Sequence, residues 1–136
     1  MKRDLSIGDA AERSGVSVET IRYYEREGLL PRVARTESGR RSYAPCDLKT
    51  LTFIRKAREL GFSLDDTRAL LALRGPDNRC TDVKAIGERH LAAVRAKMRR
   101  IIEVERILSD AVARCPGGRT GDCTLLAVLE PDVERP

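Results

Sequence analysis

The sequence predicts a mostly all-α protein: a winged helix-turn-helix domain, then a long helix that pairs antiparallel with a second copy as a coiled coil, then a short loop bounded by cysteines. Three observations predict it. Two capped helical segments meet at a glycine-containing turn within residues 6–28, residues 81–114 run without proline and carry an apolar seam, and three of the four cysteines flank that run. Glu, Leu, Ala, Arg and Lys abound among the 136 residues, while three Tyr, two Phe and no Trp leave little for a sheet core. An extensive β-sandwich is excluded.

The first helix is announced by Ser6-Ile7-Gly8-Asp9, a capping-box shape with Asp in place of Glu, and stops at Ser14-Gly15. The second starts immediately, with Ser17 as cap for Val18 to Glu27 and Gly28 as its terminator. On it, Thr20, Arg22, Tyr23 and Tyr24 present hydroxyl and guanidinium donors, which suit phosphate oxygens and base edges. The stretch from Pro31 to Tyr43 is basic and turns at Ser38-Gly39, as a β-hairpin wing would. In that reading Arg35, Arg40, Arg41 and Tyr43 anchor a phosphate backbone. A charged surface loop with Tyr43 as local core is the alternative.

Asp47 caps a third helix ending at Gly61, with Leu48, Leu51, Ile54 and Leu60 packed beneath the first two and Arg55, Lys56 and Arg58 extending the basic surface. Ser63-Leu64-Asp65-Asp66 opens a fourth, broken at Gly75-Pro76. Charge follows the same division. Residues 1–58 hold 13 Lys or Arg against 8 Asp or Glu, whereas residues 59–136 hold 13 of each. The whole excess sits in the first part, which suggests that this part meets a polyanion, although on charge alone a solvated basic face is the default reading.

Residues 81–114 form the longest segment. Positions 87, 91, 94, 98, 101, 105, 108, 112 and 115 step by four and three, and six of the nine are apolar: Leu91, Val94, Met98, Ile101, Leu108 and Val112. A helix of about 34 residues is about 51 Å long. No second helix of that length exists in the chain to cover the seam. Burial against the same helix of another copy, in a two-fold homodimer, is expected in preference to packing on its own domain. Three parts follow: residues 1–75 for DNA binding, 81–114 for dimerisation, and 115–136 for a metal-binding loop with a short helix.

Cys80 opens the long helix and Cys115 closes it, so within one chain they stand about 50 Å apart, far beyond the roughly 2.3 Å of a metal–sulfur bond. Antiparallel pairing removes the difficulty by placing Cys80 of one copy beside Cys115 and Cys123 of the other. Pro116 to Asp122, with three glycines, can wrap an ion between the last two. A soft three-thiolate site is the reading. Three unrelated buried cysteines, or a reversible Cys115–Cys123 disulfide, are the alternatives. Cys46 is expected to be a packed thiol, and His90, about 15 Å along the helix from Cys80, is too far away to share its ion.

Together these motifs resemble the MerR family of bacterial transcription factors. The likeness lies in Thr20-Ile21-Arg22-Tyr23-Tyr24-Glu25 with Gly28-Leu29-Leu30, in Gly39-Arg40-Arg41-Ser42-Tyr43, and in Phe53-Ile54-Arg55 through Leu60-Gly61-Phe62-Ser63-Leu64, and it extends over residues 5–130. The resemblance implies a dimer that sits on an overlong promoter spacer and, when its effector binds, distorts the DNA so that RNA polymerase can engage both promoter elements. It also implies cysteine ligands at positions 80, 115 and 123. Copper and silver sensors of the family carry Ser in place of Cys80, so this chain is expected to take a divalent thiophilic ion: mercury, cadmium or lead ahead of zinc. The redox sensors' four clustered cysteines are absent.

A metal-responsive regulator is therefore the leading expectation, and a thiol redox or metal-storage protein with non-specific nucleic-acid binding the second. An enzyme is not expected, because one His and no convergent acid–base set are present. No stretch approaches the roughly 18 apolar residues of a membrane span. The opening Met1-Lys2-Arg3-Asp4-Leu5 has no apolar run for a secretory signal, so a cytoplasmic location is expected.

Overall fold

The structure, a computed structural model, describes residues 5–31, 33–115, 117–119, 121 and 123–130. The order of elements is α1 (Ile7–Ser14), α2 (Val18–Arg26), β1 (Ala34–Arg35), β2 (Arg41–Ser42), α3 (Pro45–Glu59), α4 (Leu64–Ala72), α5 (Cys80–Ala113) and α6 (Thr124–Leu129). The chain divides into a unit of residues 1–87 and a unit of residues 88–136, with α5 running through the division.

Local chemistry sets the helix starts. The Ser6 hydroxyl accepts from the Asp9 N–H at 3.2 Å while the Asp9 carboxylate reaches back to Ser6, which closes the capping box read from the sequence. Ser17 and Ser63 accept from Thr20 N–H and Asp66 N–H at 3.2 and 3.0 Å. Gly15 ends α1 at φ +75°, where a side chain would be strained, and its N–H bonds Ala11 O at 3.0 Å.

The first unit packs α1, α2 and α3 around Ile21, Tyr43, Leu51 and Ile54, all fully buried. The wing is a two-stranded antiparallel ribbon with Ala34 opposite Ser42 and Arg35 opposite Arg41. Its turn places Gly39 at φ +84°. Thr36 closes the turn, its N–H donating to Arg40 O and its hydroxyl accepting from the Arg40 N–H. Leu5 extends the ribbon with a pair of backbone bonds to Tyr43.

Several expectations are corrected here. α3 begins at Pro45, not after Asp47, because proline fits the first helical turn and the Asp47 carboxylate accepts from Ala44 N–H three residues back. The buried stripe of α3 is Asp47, Leu51, Ile54 and Ala57, so Cys46, one position off that stripe, is exposed, not packed. Leu60 caps the helix beyond its last turn and is 68% exposed. α4 likewise ends at Ala72, short of the Gly75-Pro76 break, with Leu73 as its cap.

α5 is the uninterrupted 34-residue helix that the apolar spacing predicts. Its seam is bare: Leu91, Met98, Ile101, Leu108 and Val112 are all exposed within the single chain. Ala111 is buried, and its carbonyl accepts from the Thr124 hydroxyl at the start of α6. Among the described residues no helix is long and apolar enough to cross a membrane.

Candidate functional site

Two sites are built on these elements. The first lies on α2 and the wing. The Ser17 hydroxyl donates to Thr20 Oγ1 at 2.7 Å, fixing the side chain at the head of α2. Arg22 is exposed and Tyr23 is 38% exposed, so both leave the surface of α2 free to meet a groove. Arg35 and Arg40 are exposed at the wing, Arg35 spanning the turn to Gly39 O at 2.8 Å. Lys56 is exposed on α3.

Four other residues read from the sequence as nucleic-acid contacts are engaged elsewhere. Tyr24 and Tyr43 are buried, which corrects the expectation that their hydroxyls face outward. The reason is a partner for each polar tip. Tyr43 donates to the Glu25 carboxylate, and burial, reinforced by that hydrogen bond and the Glu25 charge, pushes its phenol well above the ordinary value. Burial also pushes the Tyr24 phenol up, with Arg58 partly offsetting it. Arg41 Nε stands 3.0 Å from the other oxygen of Glu25. Arg55 Nε donates to Ser14 O at 2.9 Å and its Nη1 pairs with Glu59, also at 2.9 Å. Glu25, the centre of this arrangement, was given no contact role in the sequence reading, and among Glu19, Glu25 and Glu27 nothing in the sequence singled it out.

The second site lies in the C-terminal unit. Cys115 Sγ and Cys123 Sγ stand 4.0 Å apart. Two thiolates bonded to one ion at about 2.3 Å, with an angle of about 110–120° between them, are separated by nearly that distance. The pair therefore fits a thiophilic ion without rearrangement. Leu126 N–H, with smaller help from Leu125 N–H and the Cys115 thiol, holds the Cys123 thiol below its ordinary value against the opposing effect of burial. Cys115 is exposed and Cys123 half-buried, which disposes of three inert core cysteines. Cys80, the first residue of α5, is exposed, and among the described residues no three ligating side chains converge within one chain. The wrapping loop read from Pro116 to Asp122 includes Pro116, Thr120 and Asp122, which lie outside the described residues.

A capped helix pair, a basic hairpin beside it and a bare helical seam define a winged helix-turn-helix regulator. Comparison with known proteins makes the class specific. A family described as MerR HTH family regulatory protein matches residues 5–73, and one described as MerR, DNA binding matches residues 48–111. The chain belongs to the MerR family of transcriptional regulators. It is 42% identical to heavy metal-dependent transcription regulator 2 of Rhizobium meliloti (strain 1021), over 90% of this chain and 84% of that protein. It is 38% identical to the mercuric resistance operon regulatory protein of Serratia marcescens, over 96% of this chain and 91% of that one. Among solved structures, PbrR691 of Ralstonia metallidurans CH34 in complex with lead(II) superposes with a TM-score of 0.80, at 38% identity, covering 93% of this chain and 99% of that chain.

Proposed function

We propose that this protein is a homodimeric, metal-responsive regulator that binds double-stranded promoter DNA and activates a metal-resistance or efflux promoter when a divalent thiophilic ion binds. The single observation that carries the metal reading is the 4.0 Å separation of Cys115 and Cys123. Relatives named for heavy-metal dependence and mercuric resistance, and a similar structure solved with lead(II), support the same class of ligand. Mercury, cadmium, lead and zinc all belong to it.

Two thiolates balance the charge of a soft divalent ion but leave its coordination incomplete, and Cys80 is the third ligand. In an antiparallel pair the start of α5 of one subunit meets the end of α5 of the other, so each ion is held by Cys80 of one subunit with Cys115 and Cys123 of its partner. When bound, the ion ties the two subunits together at both ends of the pair. On the DNA side, Thr20, Arg22 and Tyr23 read the groove, while Arg35, Arg40 and Lys56 meet phosphates. Residues 1–75 then serve DNA binding, 81–114 dimerisation, and 115–136 the metal site. Distortion of the bound promoter lets RNA polymerase engage it.

The test is titration of the purified protein on its own promoter with mercury(II), cadmium(II), lead(II), zinc(II) and copper(I), read by in vitro transcription. Activation by one or more divalent ions supports the reading. Activation by copper(I) alone, or by no metal, overturns it.

A further inference from the structure

The wing is too small to hold its own orientation. Two residues per strand make a ribbon well below the size that is stable alone in water, so its angle to α2 must be fixed by something outside it. Among the described residues, one side chain of α2 engages both the wing strand β2 and the residue that follows it. Glu25 forms an ion pair with Arg41 Nε at 3.0 Å through one carboxylate oxygen and accepts a hydrogen bond from the Tyr43 hydroxyl with the other. Tyr43 in turn bonds Leu5 through both backbone groups, at 2.8 and 3.0 Å. The Glu25 side chain is 15% exposed and that of Tyr43 is wholly buried, so the contact is not a solvent-screened surface pair.

We propose that Glu25 is a positioning residue for DNA recognition: it touches no DNA, and it sets the wing at the angle to α2 at which wing and helix engage the same duplex. The inference rests on the DNA-binding role proposed above. Glu25 lies three residues after Arg22 on α2, on the same side of the helix. The electrostatic influence of Arg22 reaches Tyr43. A carboxylate this near a phosphate backbone repels it unless neutralised, and Arg41 supplies the neutralising charge. Arg41 thereby acts through Glu25 and not as a phosphate ligand. Both oxygens of the carboxylate are occupied by different parts of the wing segment, which fixes a direction as well as a distance.

The experiment is hydroxyl-radical footprinting and affinity measurement with the full-length protein on promoter DNA that the wild type protects. It compares wild type, Glu25→Gln, Arg41→Gln and the double variant. Gln keeps the size of Glu25 and an oxygen for Tyr43, and Arg41→Gln reaches the same contact from the wing, so the result does not hang on one variant. Either single change is expected to weaken binding roughly tenfold. Protection at the outer flanks beside the wing should fade while protection under α2 persists, and the double variant should be no weaker than the weaker single one. A footprint and affinity unchanged by both single changes, a uniform loss across the site, or multiplying losses in the double variant would each overturn the positioning role. Those outcomes leave DNA binding itself standing. A wild-type protein that protects no promoter DNA overturns the underlying reading as well.

Discussion

Arg55 on α3 donates through Nε to the carbonyl of Ser14, the last residue of α1, at 2.9 Å across 41 positions of sequence. The bond satisfies a helix-end carbonyl that has no partner within α1, and its second nitrogen is held by Glu59. A guanidinium so placed joins two helices before it meets anything else. Arg55→Ala should therefore lower the unfolding free energy by about 1 kcal/mol. Lys56→Ala, one residue on and exposed, should leave stability within about 0.5 kcal/mol and weaken DNA binding. Urea denaturation of both variants beside a gel-shift titration distinguishes the two roles.

Arg22 on α2 and Arg40 at the wing are both exposed and belong to the proposed DNA surface. Arg22→Ala should weaken operator binding by at least about 1 kcal/mol if it reads a base edge. Arg40→Ala should weaken it on any sequence and reduce the salt slope by about one. Salt titrations of both variants on cognate and random duplexes check this, and binding unchanged in both would contradict the proposed surface.

The buried phenol of Tyr43 carries a pH consequence. Burial and then Glu25 raise its folded value above the ordinary 10.0. A group whose folded value is raised contributes stability that is complete below the unfolded value and lost as pH climbs from there toward the folded one. Wild-type stability should thus fall as the solution is made alkaline beyond about pH 10, and Tyr43→Phe should flatten that fall while costing stability at neutral pH through the lost hydrogen bond. Chemical denaturation at a series of pH values reads both effects.

Ile101 is 66% exposed in the single chain, in mid-seam of α5. Ile101→Asp would bury one charge from each subunit in the proposed dimer and should dissociate or unfold it. Analytical ultracentrifugation at micromolar concentration gives the outcome directly. A wild-type protein that sediments there as a folded monomer would contradict the assembly.

Cys80→Ser should abolish the response to divalent metal and leave DNA binding intact, because position 80 lies outside the basic segment. Mixed dimers then test which subunit supplies which ligand. One subunit lacking Cys80, paired with one lacking both Cys115 and Cys123, should keep one working site of two; loss of both sites would contradict sharing between subunits.

The starts of α1, α2 and α4 were legible in the sequence because each depends on three or four adjacent residues, whereas that of α3, read at Asp47, lies at Pro45. Ser6, Ser17 and Ser63 all cap as read. What distant residues decide was not legible. Tyr24 and Tyr43 read as surface donors, and only the fold shows that Glu25, 18 positions before Tyr43, gives a buried hydroxyl its partner. Cys46 and Leu60 were misplaced because the face of α3 that packs on the core runs through Asp47, Leu51, Ile54 and Ala57, which leaves Cys46 off the stripe and Leu60 past the end of the helix. Cys115 and Cys123 were found by spacing and stand together in the structure. Their expected third partner, Cys80, could not appear beside them in one chain if it comes from another.

The bare seam of α5 also bears on how much of this protein a cell must hold. A chain that hides Ile101, Leu108 and Val112 only against a twin has a melting temperature that rises with its own concentration. In the proposed dimer, newly made subunits are most vulnerable to proteases while unpaired, and scarce copies are lost faster than abundant ones. Mixed dimers for the shared-site experiment are best formed by folding the two variants together, since exchange between mature pairs requires each to expose that seam again.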